Sequence, residues 1–166
     1  MDEVLIRADI AALLGRRRRD CNKGDNGKGL LLAGSEGFYG AAVMAAASCL
    51  RAGIGTLKVL CPGGALEAFY ALPEAMVYPV GLNWAAADMT LIKERLAEAD
   101  CLAIGPGLGR EECLPQIVHL VLKTGKPAVV DADALNALSR LDDDEKAALL
   151  HEKAVLTPHP GEMARL

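Results

Sequence analysis

The chain has 166 residues, of which 52% are hydrophobic and 24% charged, with a formal net charge of −4. That length suits one compact domain, and the apolar share argues against a disordered chain. An acidic surplus leaves no electrostatic footprint for nucleic acid, and no apolar run approaches the roughly 20 residues that cross a bilayer. Only 4% of residues are aromatic, so Ala, Val, Leu and Ile must build the core. That mixture suits a helix-covered parallel sheet better than a β-sandwich. The five cysteines (21, 49, 61, 101 and 113) are scattered, without a C-x-x-C pair. They therefore read as reduced core thiols of a cytoplasmic protein rather than as a zinc site or a disulfide framework.

In chain order, residues 2–14 repeat apolar side chains at helical spacing and stop at Gly15. The basic run 16–19 follows, read as a solvated elbow with phosphate contact as the alternative. A short apolar run bounded by Gly29 and Gly34 predicts a buried strand. The Ala-rich stretch 41–52 predicts a helix closed by Gly53. Thr56–Cys61 reads as a strand, 66–71 as a short helix and 76–80 as a strand. Residues 86–99 carry an amphipathic helical pattern. Cys101–Ile104 is a strand ending in Gly105-Pro-Gly-Leu-Gly109, and 114–124 is a helix closed by Gly125. The strand 127–130 runs into Asp131-Ala-Asp-Ala-Leu-Asn136. Residues 142–150 read as a helix, and Ala154–Leu156 as a last strand before Thr157-Pro-His-Pro-Gly-Glu162. From Gly161 to Leu166 a helix begins that has room for barely more than a turn, too short to be stable alone. Apolar strands alternating with helices predict an α/β fold: a doubly wound, mostly parallel sheet with helices on both faces, all within residues 1–166.

Four unusual segments each follow directly on a predicted strand: SEGFYGAA, GPGLG, DADALN and TPHPGE. In an open parallel sheet the carboxyl ends of the strands share one edge, where ligands bind. The order alone therefore gathers Gly40, Ala41, Gly107, Asp131, Asp133, Asn136, His159 and Glu162 on one rim. Gly40-Ala41 opens a helix whose free N–H groups can hold an anion, and it also reads as a plain turn. The glycines of GPGLG exceed what a connection needs, which points to close backbone approach. One of Asp131 and Asp133 is expected to cap the next helix, leaving the other for a metal or hydroxyl. His159, between two prolines, is held in a stiff loop.

Together these segments resemble the NAD(P)H-hydrate dehydratases of the ribokinase-like superfamily. The resemblance rests on Lys23-Gly24-x-x-Gly27, LLLAGS at 30–35, GAA at 40–42, RAGIGTLKV at 51–59, IGPGLG, VVDADALN and LTPHPGE. Asn22 stands where the family usually has His. The resemblance implies a reaction in which ADP or ATP phosphorylates the hydroxyl of hydrated NADH or NADPH, and loss of phosphate restores the dinucleotide. It implies that Ala41, Gly107 and His159 contact the hydrated dinucleotide, with Gly40, Gly105 and Asn136 as secondary candidates. Glu162, and less directly Asp131, would reach the nucleotide's Mg²⁺ through water. The family's Lys-Gly-x-x-Thr loop and Gly-Asp segment have no counterpart here. The catalytic aspartate, carried by that Gly-Asp segment, is therefore expected beyond Leu166, and no residue of this chain is assigned as the catalytic base. The chain thus reads as a partial domain, inactive alone and a homo-oligomer when complete. The alternatives are a binding-only remnant and a small-molecule kinase of the same superfamily.

Overall fold

The computed structural model describes residues 6–13 and 17–166. Six parallel strands form one sheet in the order β3-β2-β1-β4-β5-β6. They are β1 (Lys28–Leu32), β2 (Thr56–Cys61), β3 (Ala75–Pro79), β4 (Cys101–Ile104), β5 (Ala128–Val130) and β6 (Ala154–Leu156). The order runs outward in both directions from the β1/β4 pair, the switch point that a doubly wound sheet uses for ligands.

The sequence explains this sheet strand by strand. Leu30 and Leu32 point to one face and Leu31 and Ala33 to the other, and all four are buried. A strand apolar at every position needs cover on both sides, which parallel strands with helical crossovers supply. On the first face Ile92 and Leu96 of α3 (Met89–Glu98) pack over Leu30, Leu32 and Leu60. Beside them α4 (Leu114–Leu122) and α5 (Asp133–Leu138) cover Ile104 and Val130. On the second face α2 (Tyr39–Ala52) lays Ala42 and Ala46 against Leu31, Leu57 and Val59. Alanines let this helix sit close to the strands, and Gly53 ends it in the left-handed conformation, its N–H on the carbonyls of Cys49 and Leu50.

The expected strands are all present. Of the expected N-terminal helix, α1 (Arg7–Leu13) is seen, while residues 2–5 and 14–16 lie outside the described ones. Of the basic run, Arg17, Arg18 and Arg19 are exposed, and Arg17 donates to the Gly53 carbonyl at the end of α2. Two expectations need correction. The segment expected as a short helix at 66–71 is a 3-10 stretch, Gly63–Phe69, which turns Ala65 and Phe69 into the core. The helix expected over 86–99 begins only at Met89, because the Asp88 carboxylate caps the amides of Thr90 and Leu91. Residues 81–87 instead form a loop that buries Trp84, whose indole Nε1 donates to the Gly34 carbonyl at 2.8 Å.

After Asp142, which forms a capping box with Glu145, α6 (Asp143–Leu149) leads to β6. The short helix expected from Gly161 is α7 (Pro160–Met163), which starts one residue earlier. It does not stand alone. Leu166 packs against the first-face core, and its carbonyl accepts from Lys146 Nζ of α6 at 3.1 Å. Tertiary contact of this kind is what lets so short a helix persist. Among the described residues, no helix is long and apolar enough to cross a membrane.

Candidate functional site

The rim at the carboxyl ends of β1, β4, β5 and β6 brings the four unusual segments side by side in that order, and a specific contact stitches each to the next. Gly34 N donates to the Pro106 carbonyl at 3.0 Å, which joins the loop after β1 to the loop after β4. Gly107 has φ +64, and a Cβ on it would lie 2.4 Å from the Phe38 carbonyl oxygen and 3.3 Å from the Ala41 Cβ. Only glycine lets these two loops meet so closely. Gly105, at φ +130, is equally constrained, since a Cβ would fall 1.7 Å from the Asp131 carbonyl oxygen. Its missing side chain is thus used inside the protein, where β4 ends against β5.

The loop after β4 is joined to the loop after β5 by Gly109 N, which donates to Asp133 Oδ2 at 2.9 Å. The loop after β5 is joined to β6 by the Thr157 hydroxyl, which donates to Asp131 Oδ1 at 2.7 Å. A second link follows from Arg165 Nε to Asn136 Oδ1 at 2.9 Å. The expectation that Asp131 or Asp133 caps α5 fails. The cap position is Ala132, which makes no side-chain bond to the helix. Its φ of 47, the only positive value among described non-glycine residues, bends the chain so that its two acidic neighbours diverge. Asp131 turns to β6 and Asp133 to the glycine loop.

At the other end of the rim His159 is the N-cap of α7. Its Nδ1 accepts from Gly161 N at 3.0 Å, and Glu162 Oε2 accepts from His159 N at 3.0 Å, a reciprocal capping box. Because Nδ1 accepts, a neutral ring carries its proton on Nε2, which lies 3.4 Å from Glu162 Oε1. The His159 ring is 63% exposed and the Glu162 carboxyl only 9%. His159 therefore presents a donor to solvent, while Glu162 is its buried support. Pro160, directly after it, confines His159 to the extended backbone that a cap requires.

Ala41 and Gly107 thus sit against each other, and His159, after β6, lies two strands beyond β4, whose loop carries Gly107. Gly40 faces open space, with nothing within 4 Å of its absent side chain. The first turn of α2 has no side-chain cap, so its free amides and the helix dipole favour an anion. Asn22 is the cap of the 3-10 turn Lys23–Asn26, its Oδ1 accepting from Gly24 N at 2.8 Å, a task it performs without a histidine. Among the described residues, no group of three or more His, Cys, Asp or Glu side chains is placed to hold a metal ion.

Two parts of this rim escape the sequence reading. Trp84 and Glu111 form a latch: the Glu111 carboxylate accepts from Trp84 N at 3.1 Å and Ala85 N at 2.7 Å. The latch holds residues 81–87 across the ends of β1 and β4. Asp133 is the other, its role as holder of the GPGLG loop visible only once α5 is in place. A lone tryptophan between Asn83 and three alanines is the one available signal.

Residues 29–166 match the family model described as NAD(P)H-hydrate dehydratase. The chain belongs to this family. It is 41% identical over 160 residues to the bifunctional NAD(P)H-hydrate repair enzyme of Moorella thermoacetica, covering 92% of this chain and 30% of that protein. It is 30% identical over 161 residues to the ADP-dependent (S)-NAD(P)H-hydrate dehydratase of Listeria monocytogenes, covering 95% of this chain and 55% of that one. The crystal structure of the ADP/ATP-dependent NAD(P)H-hydrate dehydratase of Bacillus subtilis, with ATP and Mg²⁺, superimposes with a TM-score of 0.73 at 30% identity. That match covers 95% of this chain and 53% of the other. The chain therefore spans about half of the single-activity relatives, and the ribokinase-like architecture is common to both.

Proposed function

We propose that these 166 residues form the substrate side of a nucleotide-dependent NAD(P)H-hydrate dehydratase, the part that holds the hydrated dinucleotide for ADP- or ATP-dependent repair. The observation that carries this reading is the stitched rim, in which Ala41 meets Gly107 and the chain of contacts runs on to His159. A dinucleotide is long enough to lie along it. The uncapped start of α2 at Gly40 and Ala41 offers amides to an anionic group, and Gly107 keeps the neighbouring loop low beside them. His159 offers its Nε2–H to a hydroxyl or phosphate oxygen, with its ring fixed by the Gly161 amide. Gly105 and Asn136 support the rim from within, Gly105 by close packing and Asn136 by holding Arg165.

Mg²⁺ prefers one or two carboxylates together with phosphate oxygens and retained water. Glu162 and Asp131 suit that arrangement through water. Both Glu162 oxygens face His159, while Asp131 Oδ2 makes no hydrogen bond among the described residues. Bound Mg²⁺ would neutralise the nucleotide's phosphates. We place the protein in the reducing cytoplasm on the strength of its five free thiols. In this reading the base is the aspartate of the family's Gly-Asp segment, which has no counterpart in these 166 residues, so turnover is assigned to a polypeptide that carries it.

The test is recovery of NADH absorbance from hydrated NADH. We expect it with ADP or ATP and Mg²⁺ when the chain is joined to the Gly-Asp-bearing part of a relative. No recovery with either nucleotide, from a joined protein that is folded, would refute the assignment.

A further inference from the structure

Asn136 is expected to face the dinucleotide, yet its Oδ1 already accepts from Arg165 Nε at 2.9 Å. That bond aims the arginine. With Nε engaged, the two terminal nitrogens form the free end of the guanidinium fork, and Arg165 is exposed. Among the described residues no carboxylate forms an ion pair with it. Glu162, three residues earlier, has both oxygens turned to His159.

Gly161 shows what the fork borders. A Cβ there would lie 3.0 Å from His159 Cε1, 3.3 Å from His159 Nδ1 and 3.8 Å from Arg165 Nη1. The imidazole and the guanidinium thus border one gap, and the missing side chain keeps it open. The backbone does not demand glycine at this position, because its φ lies outside the left-handed region. Glycine in a helix costs stability relative to alanine, which leaves clearance as its use. The gap owes nothing to the end of α7, since the amides of Gly161, Glu162 and Met163 are already bonded to His159. Its surroundings are positive. Arg110 and Arg140 line a hollow of about 130 Å³ beside Asn136, and Arg140 donates to the Glu111 carbonyl rather than to a carboxylate. The Asp133 carboxylate in that hollow is held by Gly109 N. In a chain of net charge −4, such a cluster of arginines reverses the local sign and attracts anions.

We infer that Arg165 is a phosphate-binding residue of this rim, acting with His159 at the Gly161 gap, and that Asn136 is its positioning residue. The ligand is a phosphate group of the dinucleotide, either the pyrophosphate bridge or the 2′-phosphate of hydrated NADPH. A planar fork of donors matches two phosphate oxygens at once. An arginine already anchored through Nε also loses less freedom on binding than a loose one. His159 adds a further donor from its Nε2–H.

The assignment rests on the rim's holding the hydrated dinucleotide, as proposed above, and the two fail differently. Calorimetric affinities for hydrated NADH and hydrated NADPH are measured beside thermal melts. The samples are the chain, Arg165→Ala, Arg165→Lys, Asn136→Ala and the combined Asn136→Ala, Arg165→Ala variant. Arg165→Ala is expected to weaken binding about tenfold or more, and Arg165→Lys, which keeps the charge without the fork, to recover part of it. Asn136→Ala leaves the guanidinium present but loose, and should cost about threefold alone and nothing further beside Arg165→Ala. Gly161→Ala keeps every ionisable side chain and suits the helix, so it should weaken binding without lowering the melting temperature. Loss toward both hydrates assigns the pyrophosphate, and loss toward hydrated NADPH alone assigns the 2′-phosphate; either upholds the inference. Equal losses of affinity and of melting temperature in Arg165→Ala and Asn136→Ala reduce the pair to a structural brace and overturn it. Unchanged affinity in Arg165→Ala also overturns it, while binding by the wild type leaves the proposed function standing. A wild-type chain that binds neither hydrate refutes both.

Discussion

Gly107→Ala tests the junction of the two loops, and Gly125→Ala is its matched control. Both glycines have φ +64, so both alanines carry the same left-handed backbone cost of roughly 1–2 kcal/mol. At Gly125, which closes α4, a Cβ meets nothing within 4 Å, and the cost ends there. At Gly107 the Cβ lands 2.4 Å from a backbone carbonyl oxygen and 3.3 Å from the Ala41 Cβ. Backbone cannot rotate aside as a side chain does, so the loops must separate, adding roughly 1–3 kcal/mol, as overpacking does elsewhere. Gly107→Ala is therefore expected to cost about 2–5 kcal/mol against about 1–2 for Gly125→Ala. With a urea slope of about 2 kcal/mol/M, an excess of 2 kcal/mol separates the two midpoints by about 1 M. Equilibrium urea unfolding measures this directly. Coincident midpoints would show that the loops are not held in contact, and the stitched rim would lose its first link.

Three further outcomes follow from the same contacts. Asp133→Ala leaves the Gly109 amide without its charged acceptor and should cost about 1.5–3 kcal/mol, whereas Asp133→Asn, which keeps an oxygen there, should recover much of it; urea midpoints decide. His159→Asn retains an N-cap acceptor but removes the ring, so it should preserve the melting temperature, and His159→Ala should lower stability by about 1 kcal/mol; thermal melts separate the cap from the ring. Burial raises the Cys61 thiol to about 11 from an ordinary value of 9.0. The unfolded chain then loses this proton first as pH rises. The contribution is complete below pH 9, and up to about 3 kcal/mol of it is lost between pH 9 and 11. Cys61→Ala should flatten that part of the pH–stability curve.

Much of the sheet was legible because its strands are apolar at most positions, as burial of both faces of a parallel sheet requires, and because glycines punctuate several of their ends. The rim was legible for the same reason: strand order put SEGFYGAA, GPGLG, DADALN and TPHPGE on one edge without any knowledge of side-chain contacts. What remained hidden depends on which partner each polar side chain takes, near or far in sequence. Asp88 reads as the interior of an amphipathic pattern until its carboxylate is seen capping Thr90 and Leu91. Asp131 and Asp133 read as alternative caps, and only the turn at Ala132 sends them in opposite directions, to Thr157 and to Gly109. Trp84 finds its place through Gly34 and Glu111, each more than 25 residues away. The exposure of Val129 and Val155 was equally out of reach, since both look like any core valines in sequence.

The most direct test of the central claim is the equilibrium affinity of this chain for hydrated NADPH, measured by calorimetric titration beside NADPH itself. Saturable one-to-one binding of the hydrate is expected, weakened about tenfold or more in His159→Asn, which corresponds to the loss of one hydrogen bond to a polar group. Absence of binding, or equal affinity in the wild type and His159→Asn with the fold intact, would contradict it.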